Sequence, residues 1–163
     1  MTVSLTVMNE TDFQQFLDIA AVNFADEKVK NGSWKPEAAL SESYAGFNRL
    51  LPDREKTAGH YLYNIMQEER NIGFLWYEIK QEGESRYAFL FEILVVPEAR
   101  GQGYGTEALR LMIREIRERG IEDIELHVFG HNQGAVKLYQ RIGFEITDYN
   151  MRLSVPKTAQ AGK

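Results

Sequence analysis

"RGQGYGTEALR", residues 100–110, sets Gly101, Gly103 and Gly105 on alternate positions between an apolar run and a helical pattern. Glycine weakens helices and strands alike. Three at one junction imply that the backbone turns, or approaches a ligand, where a Cβ would obstruct it. The preceding run, "FLFEILVVP" at residues 89–97, is β-branched and aromatic and reads as a buried strand ended by Pro97. Behind the glycines, Leu109, Met112, Ile113 and Ile116 recur at i, i+3, i+4 and i+7, a helix that Gly120 closes. A strand feeding a helix through such a turn presents the free N–H groups of the first helical turn, and the positive end of the macrodipole, to an anion. Arg100 adds a guanidinium that can grip a phosphate through two parallel hydrogen bonds.

Two common phosphate loops are excluded. No Lys-Ser/Thr pair follows the glycines, so the Walker A pattern is absent, and Tyr104-Gly105-Thr106 after Gly103 breaks the dinucleotide GxGxxG spacing. What stands here is Arg-x-x-Gly-x-Gly on Arg100, Gly103 and Gly105, with Gly101 extra. This resembles the acetyl-coenzyme A pyrophosphate loop of the GNAT superfamily of N-acetyltransferases. "EILVVPEARG" (92–101) looks like that family's strand before the loop. "ELHVFGHNQGAVKLYQRIGF" (125–144) is similar to its closing segment, with Asn132, Ala135, Leu138-Tyr139 and Gly143-Phe144 in the matching places. The resemblance covers about residues 86–153.

The resemblance implies an α/β (α+β) fold, a mixed but mostly antiparallel central sheet of six to seven strands with helices on both faces. It also implies direct transfer of acetyl from acetyl-CoA to a primary amine, with both substrates bound together. By the same analogy Ile93 and Val95 give main-chain contacts to the pantetheine arm. Arg100, Gly101, Gln102, Gly103, Tyr104, Gly105 and Thr106 hold the pyrophosphate, and Asn132 lies on the cofactor side while also suiting a helix N-cap. Tyr139 takes the family position that protonates the leaving thiolate, and a phenol of pKa ~10 holds its proton at neutral pH. Its side chain also falls on the helix's apolar face, as a core tyrosine would.

The base is open between two residues. An amine of pKa ~10.4 is almost wholly protonated at neutral pH, so attack needs a proton exit. Glu92 is a carboxylate inside an apolar strand, which demands a partner, water or a raised pKa. His127 stands where some protein N-terminal acetyltransferases of the superfamily carry a glutamate base, and imidazole is itself competent. A water chain without a dedicated base is the third option. His60 and His131 read as surface or hairpin residues. Trp34, Tyr44, Phe47, Tyr61, Tyr63, Trp76 and Tyr77 read chiefly as core with some room to line an acceptor pocket, and Glu78 and Glu82 as solvated acids.

The rest of the chain fits one domain, residues 1–156, with 157–163 a tail that has nothing to bury. Strands are expected over residues 4–8, in the hairpin around "QEERN", in "DIELHVF" (123–129) and over 144–155. Helices are expected from Thr11 to about Lys30, from Pro36 to Leu50-Leu51, and after Asn132. The 163 residues, 44% hydrophobic and 26% charged, can bury a core without staples. The absence of cysteine excludes disulfides and thiol nucleophiles, and three histidines without HExxH argue against a metal. A net charge of −5 disfavours nucleic acid. The chain shows no signal segment and no apolar run of membrane-spanning length, so the cytoplasm is the expected address. The expected acceptor is a small-molecule amine, with a protein amine or a non-catalytic acyl-CoA sensor as alternatives and a homodimer left open.

Overall fold

The computed structural model describes residues 2–157. Five strands form one sheet in the order β1 (Val3–Val7), β2 (His60–Gln67), β3 (Arg70–Glu82), β4 (Ser85–Val95) and β5 (Ile124–Leu126). The first four pair antiparallel and β5 runs parallel to β4. Helices α1 (Glu10–Lys30) and α2 (Pro36–Leu50) follow β1, α3 (Tyr104–Glu118) follows β4, and α4 (Gln133–Ile142) follows β5.

Period-2 alternation along the strands sends side chains to two cores. Phe74 and Trp76 of β3 meet Phe13, Phe16 and Leu17 of α1, while Leu75 and Tyr77 point the other way, toward Leu109, Met112 and Ile116 of α3. Each such side chain contributes roughly 1.5–3 kcal/mol on burial. α1 starts at a capping box in which Asn9 and Asp12 exchange side-chain-to-backbone hydrogen bonds, so the helix opens just ahead of Thr11. Gly73 lets β3 and β4 close: a Cβ there would lie 2.1 Å from the Leu94 carbonyl oxygen.

One irregularity in β4 decides what the sheet can do. Trp76 pairs with Glu92 but its neighbour Tyr77 pairs with Leu90, so Phe91 is an extra residue, a β-bulge. Residues opposite each other in a ladder share a face. Glu92 therefore points with Trp76 toward α1. Under strict alternation it would share Leu90's face and enter the α3 core.

The sheet has five strands where six to seven were expected. β5 covers three residues of the expected 123–129, and residues 144–155 form no strand. The ladder between β4 and β5 holds only Ala88–Leu90 against Ile124–Leu126. Past Leu126 the chain leaves β4, so β5 is too short to template a further partner. Residues 144–155 keep their alternating pattern but lie along the surface, with Tyr149, Met151, Leu153 and Val155 all exposed. Arg152 ties this segment down, donating to the Asn31 carbonyl and the Ser33 hydroxyl. The tail expected over 157–163 lies, beyond Lys157, outside the described residues.

Candidate active site

The glycine loop has two parts. Gly101 and Gly103 adopt φ of 76° and 85°, the left-handed region that side chains resist, and a Cβ on either would meet no protein atom within 4 Å. Gly103 is the N-cap of α3 and supplies no side-chain acceptor, so the first-turn N–H groups face outward without a capping side chain. Gly105 lies inside α3, where a Cβ would make an ordinary 3.8 Å contact with Val95. Arg100 Nε donates to the Val95 carbonyl at 2.7 Å, which fixes the guanidinium at the loop's entrance and engages that carbonyl from within the chain. Tyr104 departs from the expectation in one respect: its side chain is buried in the α3 core, leaving only its backbone for the loop. Gln102 is exposed and Thr106 half-buried.

Where β4 and β5 part, immediately beyond Leu90, a cleft of about 370 Å³ opens. Its walls include Glu92 and Ile93 from β4, His127 and Phe129 from the segment after β5, Asn132 and Tyr139 around α4, and Asn23, Phe24 and Glu27 from α1. The cleft thus gathers Glu92, His127, Tyr139, Ile93 and Asn132, which lie far apart in sequence. The glycine loop stands apart from it, beyond the end of β4.

Three titratable groups in the cleft are perturbed. Burial, and then the negative charge of Glu27, push the Glu92 carboxyl up to about 8. Burial, and then Glu92, push the Tyr139 phenol up to about 12, so it holds its proton firmly. His127 is shifted down by burial and by Lys28, which favours neutral imidazole. Asn132 caps α4, accepting from Ala135 N–H at 3.3 Å.

Sequence reasoning missed the α1 wall. Phe24 and Glu27 continue the helical stripe of Phe13, Phe16, Leu17 and Ala20 at i+4 and i+7 from Ala20. An acid in line with a buried stripe was the available signal. His131 is more than a surface residue, since its Nε2 pairs with the Glu27 carboxylate across the cleft's rim. His60 is a hairpin residue as expected, but its side chain is only 5% exposed and accepts from Trp76 Nε1 at 2.9 Å. Phe47, Tyr63, Trp76 and Tyr77 are core residues. Among the described residues no cluster could hold a metal ion, and no helix is long and apolar enough to cross a membrane.

The acetyltransferase (GNAT) family model matches residues 24–144, a span that includes both the glycine loop and the cleft. The chain belongs to the GNAT family. An uncharacterised N-acetyltransferase of Bacillus subtilis, YycN, is 38% identical over 152 residues, covering 93% of this chain and 97% of its own. Its crystal structure superposes with a TM-score of 0.91 at 36% identity, over 96% of this chain and all of that one. A second uncharacterised N-acetyltransferase of B. subtilis, YdgE, is 31% identical over 93% of this chain and 98% of its own. A predicted acetyltransferase of Clostridium acetobutylicum, crystallised with acetyl-CoA, shares the fold at a TM-score of 0.65 and 18% identity, over 94% of this chain and 96% of that one.

Proposed function

We propose that this GNAT protein transfers the acetyl group of acetyl-CoA to a primary amine of a small molecule, by direct attack with both substrates bound. The observation that carries the reading is the pairing, in one cleft, of a carboxyl raised to about 8 with a phenol raised to about 12. Two groups whose proton affinities are set apart this way suit opposite ends of a proton transfer.

The residues present fit acetyl-CoA. The left-handed turn at Gly101 and Gly103 leaves open the space a Cβ would fill, beside uncapped helix N–H groups and Arg100. There Arg100 and the 101–106 backbone would hold the pyrophosphate, and the β5-facing backbone of β4 beyond Leu90 is free of a strand partner for the pantetheine arm. The related fold determined with acetyl-CoA supports the same choice. When bound, acetyl-CoA supplies an electrophilic thioester carbonyl.

The chain's own residues then manage protons. At neutral pH a fraction of Glu92 is ionised, and its carboxylate takes the ammonium proton so that the amine can attack. His127, which lines the same cleft with its imidazole kept neutral, passes that proton toward solvent. Tyr139 Oη donates to the departing sulfur. A thiol-release assay over a panel of amines tests the proposal. Release of coenzyme A with at least one small amine is expected; tight acetyl-CoA binding with no release on any acceptor overturns it in favour of a non-catalytic sensor.

A further inference from the structure

The cleft holds one acid more than acetyl transfer requires. Glu92 serves the reacting nitrogen and, among the described residues, has no hydrogen-bond or ion-pair partner of its own. Glu27 reaches the same cleft from α1, close enough to raise Glu92 by its charge. Its Oε2 is held by His131 Nε2, while Oε1 has no partner among the described residues. The rings of Phe24 and Phe129 stand beside it, 6.2 Å apart, and Phe129 stacks on His131 at 5.6 Å. The nearby Lys28 ammonium is engaged over the Trp34 and Phe24 rings, at 5.1 and 5.8 Å.

A carboxylate held through one oxygen, with the other open in a cleft that Phe24 and Phe129 also line, is the chemistry that recognises an alkylammonium. We infer that Glu27, positioned by His131, is a specificity determinant that binds a second cationic group on the acceptor. The preferred acceptor is then a diamine or longer polyamine, one nitrogen presented to Glu92 and another bound at Glu27. A monoamine leaves Glu27 without its ligand, and an acceptor bearing a carboxylate there is repelled by Glu27. The inference rests on the transferase reading above, and it has a readout of its own in acceptor binding.

The test compares α,ω-diamines, from diaminopropane to diaminohexane, with the monoamines of equal chain length, on the wild type and on Glu27→Gln. A charge-assisted hydrogen bond predicts that the best diamine exceeds its monoamine by about 10-fold or more in kcat/KM. Glu27→Gln should raise KM for the diamine by about 10-fold or more and leave the monoamine's KM unmoved, while any change in kcat from relieving Glu92 of Glu27's charge is shared by both amines. His131→Asn should shift the diamine KM in the same direction by less. Calorimetry of diamine binding to the coenzyme A-loaded protein reads Glu27 without turnover, and circular dichroism confirms that the variants fold. Equal efficiency for diamines and monoamines, with KM untouched in Glu27→Gln, overturns the inference and leaves the transferase standing. Diamine binding that depends on Glu27, with no release of coenzyme A, supports the subsite and overturns the transferase.

Discussion

Glu92→Gln tests the account of the cleft most directly, because the buried carboxyl must leave a mark on stability as well as on rate. The folded pKa of about 8 lies above the ordinary 4.5, so the folded chain keeps a proton that the unfolded chain has released. Stability therefore falls as pH rises from about 4.5, and the loss is complete once pH passes the folded value. From pH 6 to pH 8, at ~1.36 kcal/mol per unit and with the folded group half ionised at the upper end, the wild type loses about 2 kcal/mol. In a chain of this size that lowers Tm by about 4–8 °C. The glutamine amide does not titrate, so the gap between its Tm and the wild type's should widen by about that amount between pH 6 and pH 8. Thermal melts by circular dichroism on both proteins across this range provide the comparison, since titrations common to both cancel. At pH 7 the variant should also lose ~100-fold in kcat/KM, the scale of a missing general base. Parallel Tm profiles would refute the argument that burial holds the carboxyl's proton.

Three further substitutions probe separate links in the argument. Tyr139→Phe removes the proton at Oη and should lower kcat by ~10-fold or more while the Kd for acetyl-CoA holds steady; wild-type turnover would end the acid assignment. Gly103→Val puts a β-branched residue at φ 85° and fills the open space beside α3, so acetyl-CoA should bind ~10-fold more weakly or worse, with unchanged affinity in a binding titration telling against the loop's role. Gly73→Ala forces a Cβ to within 2.1 Å of the Leu94 carbonyl oxygen and should cost about 3 kcal/mol, read as a Tm lower by about 6–12 °C; a wild-type melt would mean that β3 and β4 part freely.

The parts of this molecule legible in its sequence are those governed by local chemistry. The glycine turn, the α3 stripe and the Asn132 cap each depend on neighbours within a few positions. The element order followed from them as far as α4. The start of α1, expected at Thr11, lies instead at the capping box of Asn9 and Asp12, a local pattern that went unread. A strand is different, because it needs a partner supplied from elsewhere. Residues 144–155 have the alternation of a strand but face a β5 that pairs over three residues. The direction of Glu92 was equally hidden. "FLFEILVV" is apolar throughout except for Glu92 and carries no sign of a bulge, and only the ladder against Trp76 and Tyr77 reveals the extra residue at Phe91. Glu27 escaped for a related reason, lying 65 positions from Glu92 on a helix whose stripe was read only as core.

The parting of β4 from β5 has an energetic consequence. The ladder joins β5 to β4 by three residue pairs, and the rest of the hold on β5 and α4 comes from side chains: Leu126, Leu138 and Ile142 on the α3 core, Phe129 against Phe24, and the contact between Glu27 and His131. A unit with so short a ladder opens locally at lower free energy than the β2–β3–β4 meander. Whatever first bridges the gap must bear the entropy of stilling that unit, and whatever arrives second finds it already still. On the proposed function the two substrates are expected to be coupled without touching: acetyl-CoA laid along β4 would raise the affinity for the amine, and by reciprocity the amine would tighten acetyl-CoA by the same factor.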